Sequence, residues 1–176
     1  DRDINVSISR LGSDYKERGS TAAIIAQPTC FIKDEKPDGT QGGTFTVGWQ
    51  TRALNKLEGS CSGITLLANQ FLLPKGTWII EGRAPALTVN THQSKIVGDP
   101  SGVPYDAIIG SSEYTAGGEI VQTNSFVEGQ ITLAVDTLFE YQHHAQTTKL
   151  TNGFGQLSIA TGQPEIYATI KATRIK

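Results

Sequence analysis

Short apolar–polar alternations recur about every ten residues from residue 44 onward, each closed by Gly, Pro or Asn, and that rhythm is the signature of an antiparallel sandwich or barrel. Candidate strands lie at 45–52, 64–67, 70–73, 77–89, 91–97, 107–114, 120–127, 130–135, 138–144, 155–160 and 165–175. Turns between them carry Pro74-Lys75-Gly76, Gly98-Asp99-Pro100, Gly117-Gly118, Asp136-Thr137, Asn152-Gly153 and Gly162-Gln163-Pro164. No stretch of ten residues has helical periodicity. Twenty threonines, nineteen glycines and no methionine among 176 residues fit strands and turns. The expected architecture is all-β, two packed antiparallel sheets with a jelly roll as the leading case. Pro85 inside 77–89 implies a bulge or an edge position. In 165–175, Ile166, Ala168, Ile170 and Ala172 share one face and Tyr167, Thr169, Lys171 and Thr173 the other, which predicts a central strand buried on one side.

The first 43 residues read differently. Ile4, Val6 and Ile8 alternate over 3–10, and a small apolar patch at 22–26 stops at Pro28. Lys33-Asp34-Glu35-Lys36-Pro37-Asp38-Gly39 followed by Gly42-Gly43 reads as a polar hinge. We therefore expect an extended N-terminal arm and linker over 1–43 and a globular domain over 44–176. The arm's side chains Ile4, Val6, Ile8, Leu11, Tyr15, Ile24, Ile25 and Phe31 cannot make a core alone and need a surface to bury against.

Several function classes are disfavoured. A net charge of −2 with no run of basic residues argues against nucleic-acid binding. The longest apolar run, five residues at 22–26, is far short of the roughly 20 that span a bilayer, and Asp1-Arg2-Asp3 does not read as a signal peptide. Cys30 and Cys61 read as small buried or idle thiols, with one disulfide between them left open. Gly59-Ser60-Cys61-Ser62-Gly63 has the spelling of a nucleophile elbow, but a strand pattern follows it where a helix is required. His143 and His144 are adjacent, so a regular strand points them to opposite faces, with His92 a distant third. Asp99, Asp106 and Glu113 are loop acids read as solvated, and Asn5-Val6-Ser7 is a formal glycosylation triplet without a secretory signal to support it. No catalytic set, no metal site and no cofactor are expected.

A set of motifs in order carries a resemblance. These are Gly-Trp-Gln-Thr-Arg-Ala-Leu-Asn at 48–55, Asn-Gln-Phe-Leu-Leu-Pro-Lys-Gly-Thr-Trp at 69–78 and Ile-Glu-Gly-Arg-Ala-Pro-Ala at 80–86. Gly-Ser-Ser-Glu-Tyr at 110–114, Gln-Thr-Asn-Ser-Phe-Val-Glu-Gly at 122–129, Phe-Glu-Tyr-Gln-His-His at 139–144 and Glu-Ile-Tyr-Ala-Thr-Ile at 165–170 follow. Together, residues 44–174 resemble the tumour-necrosis-factor-like jelly roll, in the version related to complement globular heads and found in virion structural proteins of tailed bacteriophages. The resemblance implies a non-enzymatic homotrimer. Phe139, Tyr141 and Tyr167 are candidates for the trimer interface, the alternative for Phe139 and Tyr141 being an intrachain core.

Within a virion two roles compete. One is a decoration or cement protein on the capsid exterior, its arm binding the major capsid protein. The other is the receptor-binding tip of a tail fibre, contacting a host surface receptor or glycan. The sequence shows no coiled-coil or repetitive shaft, which favours the capsid. A secreted ligand with a complement-like head is a third reading, disfavoured by the absence of a collagen-like Gly repeat.

Overall fold

In the computed structural model, residues 27–116, 120–159 and 161–176 are described, and all their regular structure is β. Eleven strands are found among them: β1 Thr29–Lys36, β2 Gly48–Thr51, β3 Lys56–Gly59, β4 Thr65–Leu67, β5 Gln70–Leu73, β6 Gly76–Leu87, β7 Asn90–Gly98, β8 Tyr105–Thr115, β9 Gln122–Leu133, β10 Thr137–Ala145 and β11 Glu165–Arg174. They form two antiparallel sheets, a jelly-roll sandwich. The first has the order β3-β1-β11-β6-β9; the second runs β4-β5-β10-β7-β8, with β2 also paired to β10.

Alternation explains which face each strand buries. In β6, Trp78, Ile80, Ala84 and Ala86 turn inward while Ile79 and Arg83 face out. In β10, Phe139, Tyr141 and His143 are buried and Glu140, Gln142 and His144 face out. The main core lies between the sheets, around Ile32, Phe71, Leu73, Trp78, Ile80, Ile96, Phe139, Tyr141 and Ile170. A smaller cluster of Phe45, Ala86, Val89 and Ala145, flanked by Phe154, seals one end.

Several expectations are corrected. The hinge at 33–39 is mostly strand: β1 pairs with β11 along one side and β3 along the other, with Cys30 and Ile32 fully buried. Its charges misled because Asp34 lies inside the sandwich against buried Arg52, while Lys33 and Lys36 stay on the rim. The sandwich therefore begins well before residue 44. The expected strands at 120–127 and 130–135 are one strand, β9, which pairs with β6 over twelve residues without interruption. Residues 155–159 are not strand.

Pro85 makes no bulge. It lies beyond Arg83, where β11's pairing with β6 ends, and its carbonyl accepts a bond from the Arg52 guanidinium. β11 is central, as expected, but its register shifts opposite Asp34/Glu35, and this turns Tyr167 inward and Ile166 outward. Tyr167 then donates its hydroxyl to the Thr40 carbonyl at 2.6 Å. Gly155, at φ +138°, lies where a Cβ would strike the Tyr167 ring, so both the conformation and the space select glycine there. Cys30 and Cys61 form a disulfide, fastening β1 to the loop between β3 and β4.

Candidate functional site

The most concentrated chemistry lies inside the sandwich, at the Phe154 end. Arg52 follows β2 directly and is completely buried. Its Nη1 and Nη2 donate to the carbonyls of Pro85 and Phe154, both at 3.3 Å, its guanidinium lies 4.2 Å from the Phe154 ring centroid, and Nη2 is 3.8 Å from Asp34 Oδ2. Burial lowers its pKa to about 10, which leaves it charged at neutral pH. Burial raises the Asp34 pKa, against the opposing pull of Arg52 and Lys36.

Next to this pair, His92 Nδ1 and His143 Nε2 share a hydrogen bond of 2.9 Å, and His92 Nε2 bonds Thr123 Oγ1 at 2.8 Å. Pairing of β7 with β10 sets His143 opposite Ser94, so His92, two residues away on the same face, meets it diagonally. Burial holds both imidazoles neutral: the His92 pKa falls to about 4, with Glu113 opposing and Arg52 assisting, and that of His143 falls well below its ordinary value. Beside them, a second set of bonds joins Ser94 Oγ to Ser125 Oγ at 2.8 Å and to the Tyr141 hydroxyl at 3.2 Å. Burial raises the Tyr141 pKa to about 12.

This network contains acids, bases and hydroxyls but offers no nucleophile to solvent. His92, Ser94, Ser125 and His143 are all buried. It is a polar brace between the sheets. The sequence hid it because its side chains lie on four separate strands, β1, β7, β9 and β10, and on Arg52. The pairing rule for adjacent histidines held, however: His143 points in, while His144 points out, edge-on to Trp49 at 5.3 Å.

The sequence-derived site residues fall in three places. Ile4, Val6, Ile8, Leu11, Tyr15, Ile24 and Ile25, together with the Asn5 triplet, lie outside the described residues. Phe31 is in β1, half-buried within the first sheet, and not in an arm. Phe139, Tyr141 and Tyr167, expected at a trimer seam, are all buried inside one chain. Phe139 stacks on Phe71, Tyr141 joins the polar brace, and Tyr167 caps the Thr40 turn. None has surface left for another subunit. Cys61 is held in the disulfide, which removes the thiolate a nucleophile elbow needs. Asp99 caps its own turn by accepting the Val103 N–H, Asp106 pairs with Lys95 at 2.7 Å, and Glu113 stands on β8 opposite His92. Among the described residues, no three His, Cys, Asp or Glu side chains converge as a metal-binding group.

The exposed surface divides by sheet. The outward face of β3-β1-β11-β6-β9 carries Phe126, 54% exposed, with Ile79 and half-buried Phe31 and Ile166. A shallow groove beside Phe126 is lined by Glu81, Arg83, Thr169 and Lys171. The outward face of the second sheet is richer in amides and hydroxyls, with the aromatic side chains of Trp49 and Tyr114.

No protein-family model matches the sequence, and no curated protein is significantly similar to it. Solved structures do match. Murine APRIL at pH 8.5 superposes with a TM-score of 0.55 at 7% identity, covering 84% of this chain and 99% of that one. The globular domain of zebrafish complement 1qA protein gives 0.53 at 10% identity, covering 86% and 98%. The chain thus has the jelly roll of the tumour-necrosis-factor and C1q-like proteins. At these identities the likeness is one of fold alone.

Proposed function

We propose that this chain is a non-enzymatic virion structural protein. In this reading it is a homotrimeric jelly roll that decorates the outside of a bacteriophage capsid and is fastened to the major capsid protein by its N-terminal segment. The observation that carries it is the apolar content of the N-terminal segment: residues 1–26 bring Ile4, Val6, Ile8, Leu11, Tyr15, Ile24 and Ile25, with Ile4, Val6 and Ile8 in alternation. Capsid subunits supply the cover for those side chains, and each one fully buried contributes about 1.5–3 kcal/mol before ordering costs.

The seam of the trimer in this account runs over the outward face of the first sheet, around Phe126 and Ile79, and replaces the buried Phe139, Tyr141 and Tyr167. An exposed aromatic, Phe126, flanked by Arg83, Lys171, Glu81 and Glu128 suits a contact between unlike patches of neighbouring copies, closed by threefold rotation. The enclosed polar brace, with no group free to attack a substrate, supports a structural role over a catalytic one.

Two measurements test this. Sedimentation equilibrium should give about 57 kDa, three times the 18.9 kDa chain, and a persistent monomer would refute the trimer. Labelled protein on intact particles should decorate the capsid lattice; label confined to the tail tip would assign the chain to a fibre instead.

A further inference from the structure

The outward face of the second sheet has an organisation that the capsid reading leaves unused. Strand pairing sets Trp49, His144, Gln93 and Ser112 in one row across β2, β10, β7 and β8, and Thr51, Gln142, Lys95 and Ile109 in the next. Trp49 is 44% exposed; the Lys95 ammonium lies 4.3 Å from its ring centroid and the His144 ring meets its edge. The indole is therefore held in place while much of it faces solvent. Tyr114, 61% exposed, stands two residues beyond Ser112 on the same strand. Three strand spacings of about 4.8 Å separate the Trp49 end of this row from the β8 end, so the two aromatics bracket a strip roughly 15 Å long.

Between and beside them the polar groups are fixed in position. Glu140 accepts hydrogen bonds from Gln70 Nε2 at 2.9 Å, Thr51 Oγ1 at 2.9 Å and Gln142 Nε2 at 3.1 Å. Partial burial works against ionisation, but the three bonds together keep the Glu140 pKa below its ordinary value, so it is an acceptor at neutral pH. Gln93 is anchored through its Nε2 to the Gly110 carbonyl at 2.9 Å. Lys95 is neutralised by Asp106.

A flat apolar ring next to fixed planar amides and a carboxylate is what a sugar requires. Its C–H face needs an aromatic platform, and its vicinal hydroxyls need paired donors and acceptors. The strip has no uncompensated positive charge with which to hold phosphate or sulfate. We propose that this face binds a neutral oligosaccharide, with Trp49 as the stacking platform, Gln142, Gln93 and His144 bonding the hydroxyls, Tyr114 closing the far end and Glu140 acting as a positioning residue. The inference is independent of where the protein sits on a virion.

The test is a printed array of neutral and charged oligosaccharides probed with the fluorescently labelled intact chain, followed by titration of its strongest ligand. Trp49 is the exposed one of two tryptophans, Trp78 being buried, so binding should shift the exposed-indole emission. Trp49→Ala and Gln142→Ala should each weaken binding about tenfold, and Glu140→Gln several-fold, by loosening the amides it holds. Unchanged Trp78 emission and circular dichroism establish that the variants are folded; should Trp49→Ala fail this check, Gln142→Ala and the wild-type emission shift carry the test. Retention of no saccharide, retention of charged saccharides alone, or undiminished binding by the folded variants overturns the proposal.

Discussion

Arg52 is the residue on which the interior most depends. It is a cation at neutral pH placed where water does not reach, and its compensation comes from two carbonyls, an aromatic face and Asp34. Arg52→Ala would leave the Asp34 carboxylate buried beside a void, and we expect a loss of about 3–5 kcal/mol in urea unfolding. The histidine pair adds a pH dependence of definite sign. Folded His92 titrates near 4 and folded His143 well below the ordinary 6.5, so between these values the unfolded chain binds more protons than the folded one. Stability is then complete above about pH 6.5 and is lost as the pH falls toward 4. Asp34, with its raised pKa, opposes this in part, because its burial penalty is relieved by acid. Urea midpoints measured down this range should fall for the wild type, and less steeply for His92→Gln with His143→Gln; a flat wild-type profile would contradict the assignment. From the sequence, the opposite facing of His143 and His144 was legible, since it needs only the period of a strand. The meeting of His92 with His143 was not, since it needs the register between two strands 51 residues apart.

At the scale of elements, the strands with plain alternation were legible: β5, β6, β7, β8 and β10 lie close to their expected positions. β1 was hidden because half its side chains are charged, and a charge in a strand announces itself as a loop unless its buried partner is known. The gap between the expected strands 120–127 and 130–135 falls at Glu128-Gly129, which sits mid-strand in β9 opposite Glu81 and Ile80. Tyr167 was assigned to the wrong face because one shift of register reverses the parity beyond it. The disulfide strengthens β1's place in the sheet. It closes a loop of 31 residues, for which chain entropy gives about 3–4 kcal/mol. Cys61→Ser should lower the urea-unfolding free energy by about that amount, and reductant should produce the same loss in the wild type and none further in the variant. Equal stability of wild type and variant would mean the bond does not form.

At the scale of the molecule, the jelly roll was legible because its rhythm of short strands and turns is a property of the whole chain, and the shared fold with APRIL and complement 1qA globular domains agrees with it. The binding surfaces were not, because outward aromatics such as Trp49 and Phe126 are distinguished from core aromatics only by register. The same register buries Phe139, Tyr141 and Tyr167, the residues expected at the seam, and leaves Phe126 outside. Since β1 belongs to the sheet, the proposed attachment segment ends before Thr29. The most direct measurement is co-sedimentation of the intact protein with capsids lacking it, compared with a variant carrying Ile4→Asp, Val6→Asp and Ile8→Asp. Burying three unpaired carboxylates is costly, so the variant should remain a trimer yet stay in the supernatant while the wild type pellets with the capsids. Equal pelleting of both proteins, or failure of the wild type to pellet, would contradict the account.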